Sequence, residues 1–310
     1  MDEQHNNKGN RYGLAKISHA RQLYDWLVKG LEYYADGSAR EAPEAAAIAR
    51  WLMEDVNIGH QQVLLNDPVT LSGADMQRLT RNLDQLAQHK PVQQVTGYAW
   101  FYNRKFRVND SVLIPRPETE ELVHRVIQQL PAREAVNILD IGTGSGCIAI
   151  TLALEIEQAR VWAIDISHKA LEKARENASL FHASVSFHKL DVLNYSRAGE
   201  AGMNKKPFDV IVSNPPYITF KEQNFMEKEV TAYEPNEALY VSNENPLVFY
   251  EAISSFAKHL LISGGQLFVE INEQQGAAVQ SLLVSKGYQQ VAVFKDLFGK
   301  DRIVQAKYTP

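Results

Sequence analysis

The stretch Asn214-Pro215-Pro216-Tyr217 has the residue types and the spacing to hold a small polar group. Proline lacks an N–H and fixes φ at about −65°, so the Asn214 side-chain carbonyl and the Pro215 backbone carbonyl can be held rigidly as acceptors. Two converging acceptors suit a substrate with an NH2 group, because that group carries two donors. Tyr217 adds a flat face against which a planar amide or base can lie. Asn and Pro are also common in ordinary turns, so a binding function requires a second motif nearby.

A short apolar run, Phe208 to Ser213, comes directly before Asn214. Its β-branched residues and the two prolines after it predict a buried strand. The carboxyl ends of parallel strands face the crevice in which α/β proteins bind ligands. We therefore expect Asn214 to face a ligand.

Three alternating glycines form the second motif, within Asp140-Ile141-Gly142-Thr143-Gly144-Ser145-Gly146. Glycines let the backbone turn sharply and approach a ligand closely. The dinucleotide fingerprint is G-x-G-x-x-G, and here Cys147 occupies its sixth position, which argues against NAD. The carboxylate of Asp140 would attract a sulfonium or ammonium group and repel a pyrophosphate.

Two further acids end predicted strands of the same sheet. Asp165 follows the predicted strand 160–164, where an acid can bind both hydroxyls of a ribose. Asp191 follows the predicted strand 185–190, and either it or the backbone of Val192 can hold an adenine amino group. A glycine loop alone is a weak signal, but the loop, the two acids and the Asn214 stretch on successive strand ends are together a strong one.

Predicted strands and helices alternate through the C-terminal part of the chain, which indicates a mostly parallel sheet. The predicted strands are 136–140, 160–164, 185–190, 208–213, 266–270, 290–295 and 302–307. The predicted helices among them are 147–155, 168–178, 247–260 and 277–286. The link from Asp296 to Asp301 is too short for a crossover, so the last strand should pair antiparallel with the one before it.

The N-terminal part has a helical pattern from about Ile17 to Gln88. Ser72 and Asp75 predict a capping box at the start of its last helix. The preceding tail, Met1 to Gly13, is predicted to be disordered. The aromatic residues of this part indicate a helical-bundle core rather than a cofactor site.

A hairpin is predicted to join the two parts of the chain. Its strands would be Val95 to Tyr102 and Phe106 to Leu113, around Asn103-Arg104-Lys105. The predicted domains are a helical bundle at 1–90, the hairpin linker at 91–114 and an α/β domain at 115–310.

The composition limits the function classes. The 310 residues are 45% hydrophobic with a formal net charge of −5. The negative charge disfavours a protein whose main function is to bind nucleic acid. The single cysteine, Cys147, excludes an intrachain disulfide and suits a reducing compartment, so we expect a cytoplasmic location. Neither a signal-peptide h-region nor a membrane-spanning run is expected. His168 and His188 lack the spacing of metal ligands, and no metal is expected.

The chain resembles the HemK/PrmC family of class I S-adenosylmethionine-dependent methyltransferases, which methylate a glutamine side-chain nitrogen in peptide chain release factors. The resemblance covers the helical part, the hairpin, the glycine loop, Asp165 and the Asn214 stretch. It also includes Ile114-Pro115-Arg116-Pro117-Glu118-Thr119-Glu120 and Glu234-Pro235 with Ala238-Leu239. The Asn-Pro-Pro-Tyr tetrapeptide also occurs in nucleic-acid amino-methyltransferases, so its combination with the segment at 114–120 points to the glutamine enzymes.

The resemblance implies a Rossmann-like fold, with a mostly parallel seven-stranded sheet and an antiparallel last strand. It implies S-adenosylmethionine as the cofactor, bound by Gly142, Thr143, Gly144, Ser145, Gly146, Asp165, Asp191, Val192 and Asn214. It implies that the acceptor glutamine is held by Asn214, Pro215, Pro216 and Tyr217, and that class I release factors are the protein substrates.

Three alternatives remain open. The first is a ribosomal-protein glutamine methyltransferase, although those enzymes usually depart from the proline-arginine-proline pattern at 115–117. The second is a nucleic-acid adenine or guanine amino-methyltransferase, which would require a basic groove or a separate recognition domain. The third is a non-catalytic cofactor-binding scaffold, which the intact motifs disfavour.

Overall fold

The computed structural model describes residues 14–130, 135–197 and 207–310, and the predicted disordered tail at 1–13 lies outside them. The chain forms two compact units. The first unit runs to Gly97 and takes in Lys228–Tyr233, and the second contains Tyr98–Glu227 and Glu234–Pro310. The division at 1–90, 91–114 and 115–310 stays a prediction.

The helices are numbered in chain order. They are α1 (Ala20–Gly30), α2 (Ala42–Asp55), α3 (His60–Leu65), α4 (Gly73–Leu86), α5 (Val92–Thr96), α6 (Pro117–Gln129), α7 (Cys147–Glu155), α8 (His168–Leu180), α9 (Lys228–Tyr233), α10 (Asn236–Leu239), α11 (Val248–Lys258) and α12 (Gly276–Ser285). Short 3-10 segments are Leu14–Lys16, Val192–Arg197 and Glu222–Phe225.

The strands follow the same rule. They are β1 (Tyr98–Phe101), β2 (Arg104–Arg107), β3 (Val136–Ile141), β4 (Ala159–Asp165), β5 (Val185–Lys189), β6 (Phe208–Ser213), β7 (Ile218–Thr219), β8 (Tyr240–Val241), β9 (Leu261–Glu270), β10 (Gln289–Lys295) and β11 (Asp301–Lys307).

The first unit is the predicted helical bundle. Leu23, Leu27, Leu52 and Leu79 are fully buried in its core, because their helical spacing places them on the inward faces of α1, α2 and α4. The predicted capping box of α4 is confirmed. The Ser72 hydroxyl accepts from the backbone N–H of Asp75 at 3.1 Å, and the Asp75 carboxylate accepts from the backbone N–H of Ser72 at 3.3 Å.

Helix α9 belongs to the first unit although it lies far along the chain. The Tyr34 hydroxyl donates to Glu229 at 2.7 Å, and the Gln94 side chain donates to the Tyr233 carbonyl at 2.9 Å. The sequence did not predict this packing, because a six-residue helix carries too little pattern to show where it binds.

The hairpin is present, but its predicted turn and strand ends are wrong. Strands β1 and β2 pair antiparallel with Phe101 opposite Arg104, so the turn is Tyr102-Asn103. Both turn residues have positive φ, 49° and 60°, as a two-residue type I′ turn requires. The predicted first strand begins too early, because Val92–Thr96 is helical and Gly97, with a φ of 80°, ends that helix.

The second unit contains the predicted seven-stranded sheet, in the order β10-β11-β9-β6-β3-β4-β5. Strand β11 is antiparallel to both β10 and β9, which confirms the predicted antiparallel end, and the other neighbouring strands are parallel. Strand β9 begins at Leu261, five residues before the predicted start. The prediction began too late because Gly264-Gly265 resembles a turn in the sequence. A Cβ at Gly265 would lie 3.2 Å from the Asp209 carbonyl oxygen of the neighbouring strand, so close packing explains that glycine.

Helices cover both faces of this sheet. On one face, Leu139 and Ile141 of β3 pack in a core with residues of α11 and α12. On the other, Val136 and Ile138 pack in a core with residues of α6, α7 and the hairpin. Because β3, β4, β5, β6 and β9 run parallel, their carboxyl ends meet at one edge of the sheet, which brings the strand-end residues of the predicted site together.

In the ranges that the structure describes, no helix combines the length and the apolar character needed to cross a membrane.

Candidate active site

A cavity of about 1080 Å³ opens at the carboxyl edge of the sheet, within the second unit. The sequence-predicted site residues that line it are Gly142, Gly144, Asp165, Asp191, Val192, Asn214, Pro215 and Pro216. The structure thus brings residues from the ends of β3, β4, β5 and β6 to one cavity. Four other predicted residues, Thr143, Ser145, Gly146 and Tyr217, do not line it.

The glycine loop is held against the end of β4. Gly142 and Gly144 have φ of 74° and 55°, a left-handed conformation that favours glycine. The backbone N–H of Gly144 donates to Asp165 Oδ2 at 2.9 Å, and that of Ser167 donates to Oδ1 at 2.8 Å. Burial raises the pKa of the Asp165 carboxyl, while these backbone donors oppose the rise.

Thr143 and Gly146 hold the glycine loop through contacts with residues that do not line the cavity. The Thr143 hydroxyl donates to Asp140 Oδ2 at 2.6 Å. Asp140 is fully buried, and burial raises its pKa to about 7. Gly146 has a φ of 82°, and a Cβ there would lie 3.3 Å from Ala174 Cα and 2.8 Å from Ile150 Cδ1, so the start of α7 favours glycine.

The backbone carbonyl of Ser145 accepts from the side-chain nitrogen of Asn177 at 2.9 Å. The same Asn177 accepts from the backbone N–H of Arg107 at 2.8 Å. The fully buried Asn177 therefore joins the glycine loop to β2 of the hairpin. A role of Thr143, Ser145 and Gly146 in cofactor binding stays a prediction.

Asp191 closes the turn after β5. Its Oδ1 accepts from the backbone N–H of Leu193 at 2.9 Å, and its Oδ2 accepts from the Asn194 side chain at 2.6 Å. Each carboxylate oxygen retains capacity for a further hydrogen bond. Asp191 and Val192 both line the cavity, and their contact with an adenine stays a prediction.

Asn214 stands at the end of β6, next to β3. The Ser213 hydroxyl donates to the Ile141 carbonyl at 2.7 Å, which ties the two strand ends together. The side-chain nitrogen of Asn214 donates to Thr119 Oγ1 at 3.1 Å, and the Thr119 hydroxyl donates to Glu270 Oε2 at 2.7 Å. Asn214 is thus connected to α6 and to the end of β9.

Tyr217 turns toward Glu270 rather than lining the cavity. Its hydroxyl donates to Glu270 Oε1 at 3.1 Å, and the Tyr250 hydroxyl donates to the Glu270 backbone carbonyl at 3.1 Å. Burial raises the pKa of Tyr217 and raises that of Glu270 to about 7. A stacking role for Tyr217 stays a prediction.

Sequence reasoning gave no role to Glu270, and it named Glu234 only as part of the family resemblance. Glu270 is the last residue of β9, beside β6. An acid at the end of a predicted strand was the signal used for Asp165 and Asp191, and it could have identified Glu270 as well. Glu234 is buried. It accepts from the backbone N–H of Ile114 at 2.9 Å and pairs with Arg116. No local sequence pattern predicts the pairing of Arg116 with Glu234, because the two residues lie 118 positions apart in the chain.

Metal ligands are not clustered in the part of the chain that the structure describes. Across residues 14–130, 135–197 and 207–310, His, Cys, Asp and Glu form no group of three that could hold a metal ion. Cys147 is buried, and burial raises the pKa of its thiol to about 12. His168 is exposed, lies beside Glu172 and is one of the residues that line the cavity.

Two family models match the chain. Residues 123–299 match the methyltransferase small domain, and residues 35–97 match the PrmC N-terminal domain. The release factor glutamine methyltransferase of Bacteroides thetaiotaomicron is 42% identical over 244 residues, which cover 79% of this chain and 85% of that protein. The one from Bacillus subtilis is 36% identical over 288 residues, which cover 90% of this chain and 96% of that protein.

The chain belongs to the release factor glutamine methyltransferase family.

A solved structure of the release factor-specific protein-(glutamine-N5) methyltransferase from Alicyclobacillus acidocaldarius is also similar. It is 26% identical, with a TM-score of 0.40, and the match covers 66% of this chain and 100% of that chain. As a member of the release factor glutamine methyltransferase family, the chain has the predicted Rossmann-like methyltransferase sheet and the predicted N-terminal helices.

Proposed function

We propose that this protein transfers a methyl group from S-adenosylmethionine to the N5 side-chain nitrogen of the glutamine in the Gly-Gly-Gln loop of class I release factors. One observation carries the proposal: Asn214 and Pro215 line the same cavity as Gly142, Gly144 and Asp165. The residues proposed to hold the amide and those proposed to hold the nucleoside therefore line one space. The name shared by the relatives supports release factors as the substrate class.

The residues of the cavity fit S-adenosylmethionine. The cavity volume, about 1080 Å³, suits a cofactor, since such pockets hold roughly 300–1,000 Å³. Gly142 and Gly144 line the cavity without placing a side chain in it, and Asp165 and Asp191 offer carboxylates for ribose hydroxyls and an adenine amino group. When bound, the cofactor supplies an electrophilic methyl group on a sulfonium.

The protein's own task is to hold the acceptor amide. An amide nitrogen is a poor nucleophile, because its lone pair is delocalised into the carbonyl. Asn214 Oδ1 and the Pro215 carbonyl can accept from its NH2 group and stabilise the positive charge that develops on nitrogen during transfer. Fixing the nitrogen in line with the methyl group supplies the rest of the acceleration, and the extra proton leaves after transfer.

The proposed acceptor is a glutamine at the tip of an exposed glycine-rich loop. Glycine neighbours carry no side chains that would clash on entry to the site. The helical N-terminal unit supplies further surface for a large protein substrate, and the binding energy of such remote contacts can be used for positioning. Because the substrate is a translation factor, the proposal includes a cytoplasmic location.

A labelled-methyl transfer assay tests the proposal, with release factor, ribosomal protein and DNA offered in parallel. We expect label in the release factor, and none in a variant whose loop glutamine is replaced by alanine. Efficient methylation of ribosomal protein or DNA, with none of release factor, would refute the substrate assignment.

A further inference from the structure

Thr119 connects two polar residues at the acceptor end of the site. Its Oγ1 lies 2.7 Å from Glu270 Oε2 and 3.1 Å from Asn214 Nδ2. Thr119 and Glu270 are only 2% and 1% exposed. The hydrogen bond between Thr119 and Glu270 is therefore shielded from water and is stronger than it would be at the surface, while Asn214 is partly exposed.

The chemistry of the three groups sets the direction of both hydrogen bonds. An amide nitrogen can only donate, and a threonine hydroxyl has a single proton. Since Asn214 Nδ2 donates to Oγ1, the proton of the hydroxyl goes to Glu270. Above a pH of about 7, where Glu270 is ionised, its carboxylate can only accept and favours this direction over the reverse. Asn214 Oδ1 takes no part in the chain of bonds and stays available as an acceptor.

We propose that Thr119 and Glu270 are positioning residues that hold the Asn214 amide with its Oδ1 toward the NH2 group of the substrate. The inference rests on the proposed function. An amide turned over about its last bond would present its own NH2 group to the substrate NH2, so that two donors would face each other. Tyr217, through its hydrogen bond to the second oxygen, holds the carboxylate of Glu270 in place.

The pair Thr119→Val and Thr119→Ser tests the role of the hydroxyl. Valine keeps the size of threonine and lacks the hydroxyl, whereas serine keeps the hydroxyl and lacks the methyl group. We expect Thr119→Val to lower kcat on release factor by ~10- to 100-fold, as the loss of an outer hydrogen-bonding partner does elsewhere. Thr119→Ser should retain kcat within about threefold, and both should bind S-adenosylmethionine with wild-type affinity.

A packing role for Thr119 predicts the opposite order. Serine would leave a void in the packed site and valine would fill it. A larger loss in Thr119→Ser than in Thr119→Val would therefore overturn the proposal. Thermal unfolding of both variants shows whether each remains folded.

Glu270→Gln, made in the wild-type and in the Thr119→Val protein, tests whether Glu270 acts through Thr119. A glutamine can turn either its oxygen or its nitrogen toward Thr119, so we expect kcat to fall by roughly 3- to 10-fold in the wild-type background. In the Thr119→Val background we expect no further loss. If Glu270→Gln lowered kcat by the same factor in both backgrounds, Glu270 would act independently of Thr119 and the proposal would be contradicted.

The side-chain amide signal of Asn214 reports its orientation without any substrate. In protein labelled with 15N-asparagine, this signal is identified by its disappearance in Asn214→Ala. We expect Thr119→Val to shift it and Thr119→Ser to leave it near the wild-type position, and an unmoved signal in Thr119→Val would overturn the proposal. Failure of the wild-type enzyme to methylate release factor would instead refute the proposed function, and this measurement would still decide the role of Thr119.

Discussion

The backbone N–H of Gly144 donates to Asp165 Oδ2 at 2.9 Å, so the glycine loop and the end of the neighbouring strand form one structure. Asp165 thereby has two tasks, because it orders the loop and presents a carboxylate to the cavity. A substitution of Asp165 should therefore affect cofactor binding in two ways, by loosening the glycine loop and by removing a carboxylate from the cavity.

We expect Asp165→Ala to weaken S-adenosylmethionine binding by ~1.5–3 kcal/mol, the range for a hydrogen bond to a charged group. Calorimetry measures the affinity, and thermal unfolding checks that the variant is folded. Asp209→Ala is the matched control, because Asp209 lies in β6 and accepts from the backbone N–H of Asn137 at 2.8 Å, away from the cavity-lining residues. An unchanged affinity in folded Asp165→Ala would remove this residue from the cofactor site.

Asn214→Ala should lower turnover by ~10²- to 10³-fold, as the loss of one preorganised polar contact does, with S-adenosylmethionine affinity nearly kept. In the proposed mechanism, Asn214 Oδ1 accepts from the acceptor amide, and loss of this bond should affect the cofactor little. Asn137→Ala serves as control, since Asn137 in β3 donates to the Pro207 carbonyl at 2.9 Å and does not line the cavity. A fall in turnover of less than about threefold would assign the acceptor role to another residue.

Glu270 should make the stability of the protein depend on pH. Burial raises its pKa from 4.5 to about 7, so the folded state holds this proton more tightly than the unfolded state does. The associated stability is present below pH 4.5 and is lost as the pH rises through about 7.

Glu270→Gln lacks this titration. Between pH 4.5 and 8, we therefore expect the free energy of unfolding of the wild type to fall relative to that of Glu270→Gln by roughly 3 kcal/mol. Urea unfolding of both proteins across this range measures the difference, and parallel curves would show that Glu270 does not titrate in this way.

Intact release factor should be methylated with a kcat/KM at least ~10-fold above that of a short peptide copied from its Gly-Gly-Gln loop. The physical reason is that contacts remote from the glutamine supply binding energy for its positioning. The full-length enzyme is assayed with both substrates, and a peptide with alanine in place of the glutamine gives the background. Equal values for factor and peptide would exclude a positioning role for surfaces outside the catalytic cavity.

Most strand and helix positions could be predicted from the sequence, because apolar runs and helical spacing are local patterns. The hairpin shows the limit of such patterns. Its turn is Tyr102-Asn103 rather than Asn103-Arg104-Lys105, and both turn residues have positive φ. Tyrosine is not a usual residue in that conformation, so composition favoured the wrong register.

The sequence by itself determined the glycine loop, the strand-end acids and the Asn-Pro-Pro-Tyr stretch, because each is contiguous and depends on local backbone chemistry. Only the tertiary structure decided which side chains support them. Thr119 lies 95 residues from Asn214 and 151 from Glu270 along the chain, and Arg116 lies 118 residues from Glu234. Thr119, Asn214 and Glu270 meet only after α6, β6 and β9 have packed, and Arg116 meets Glu234 only when the segment after α9 packs beside the start of α6. These contacts follow from tertiary packing rather than from any pattern along the chain.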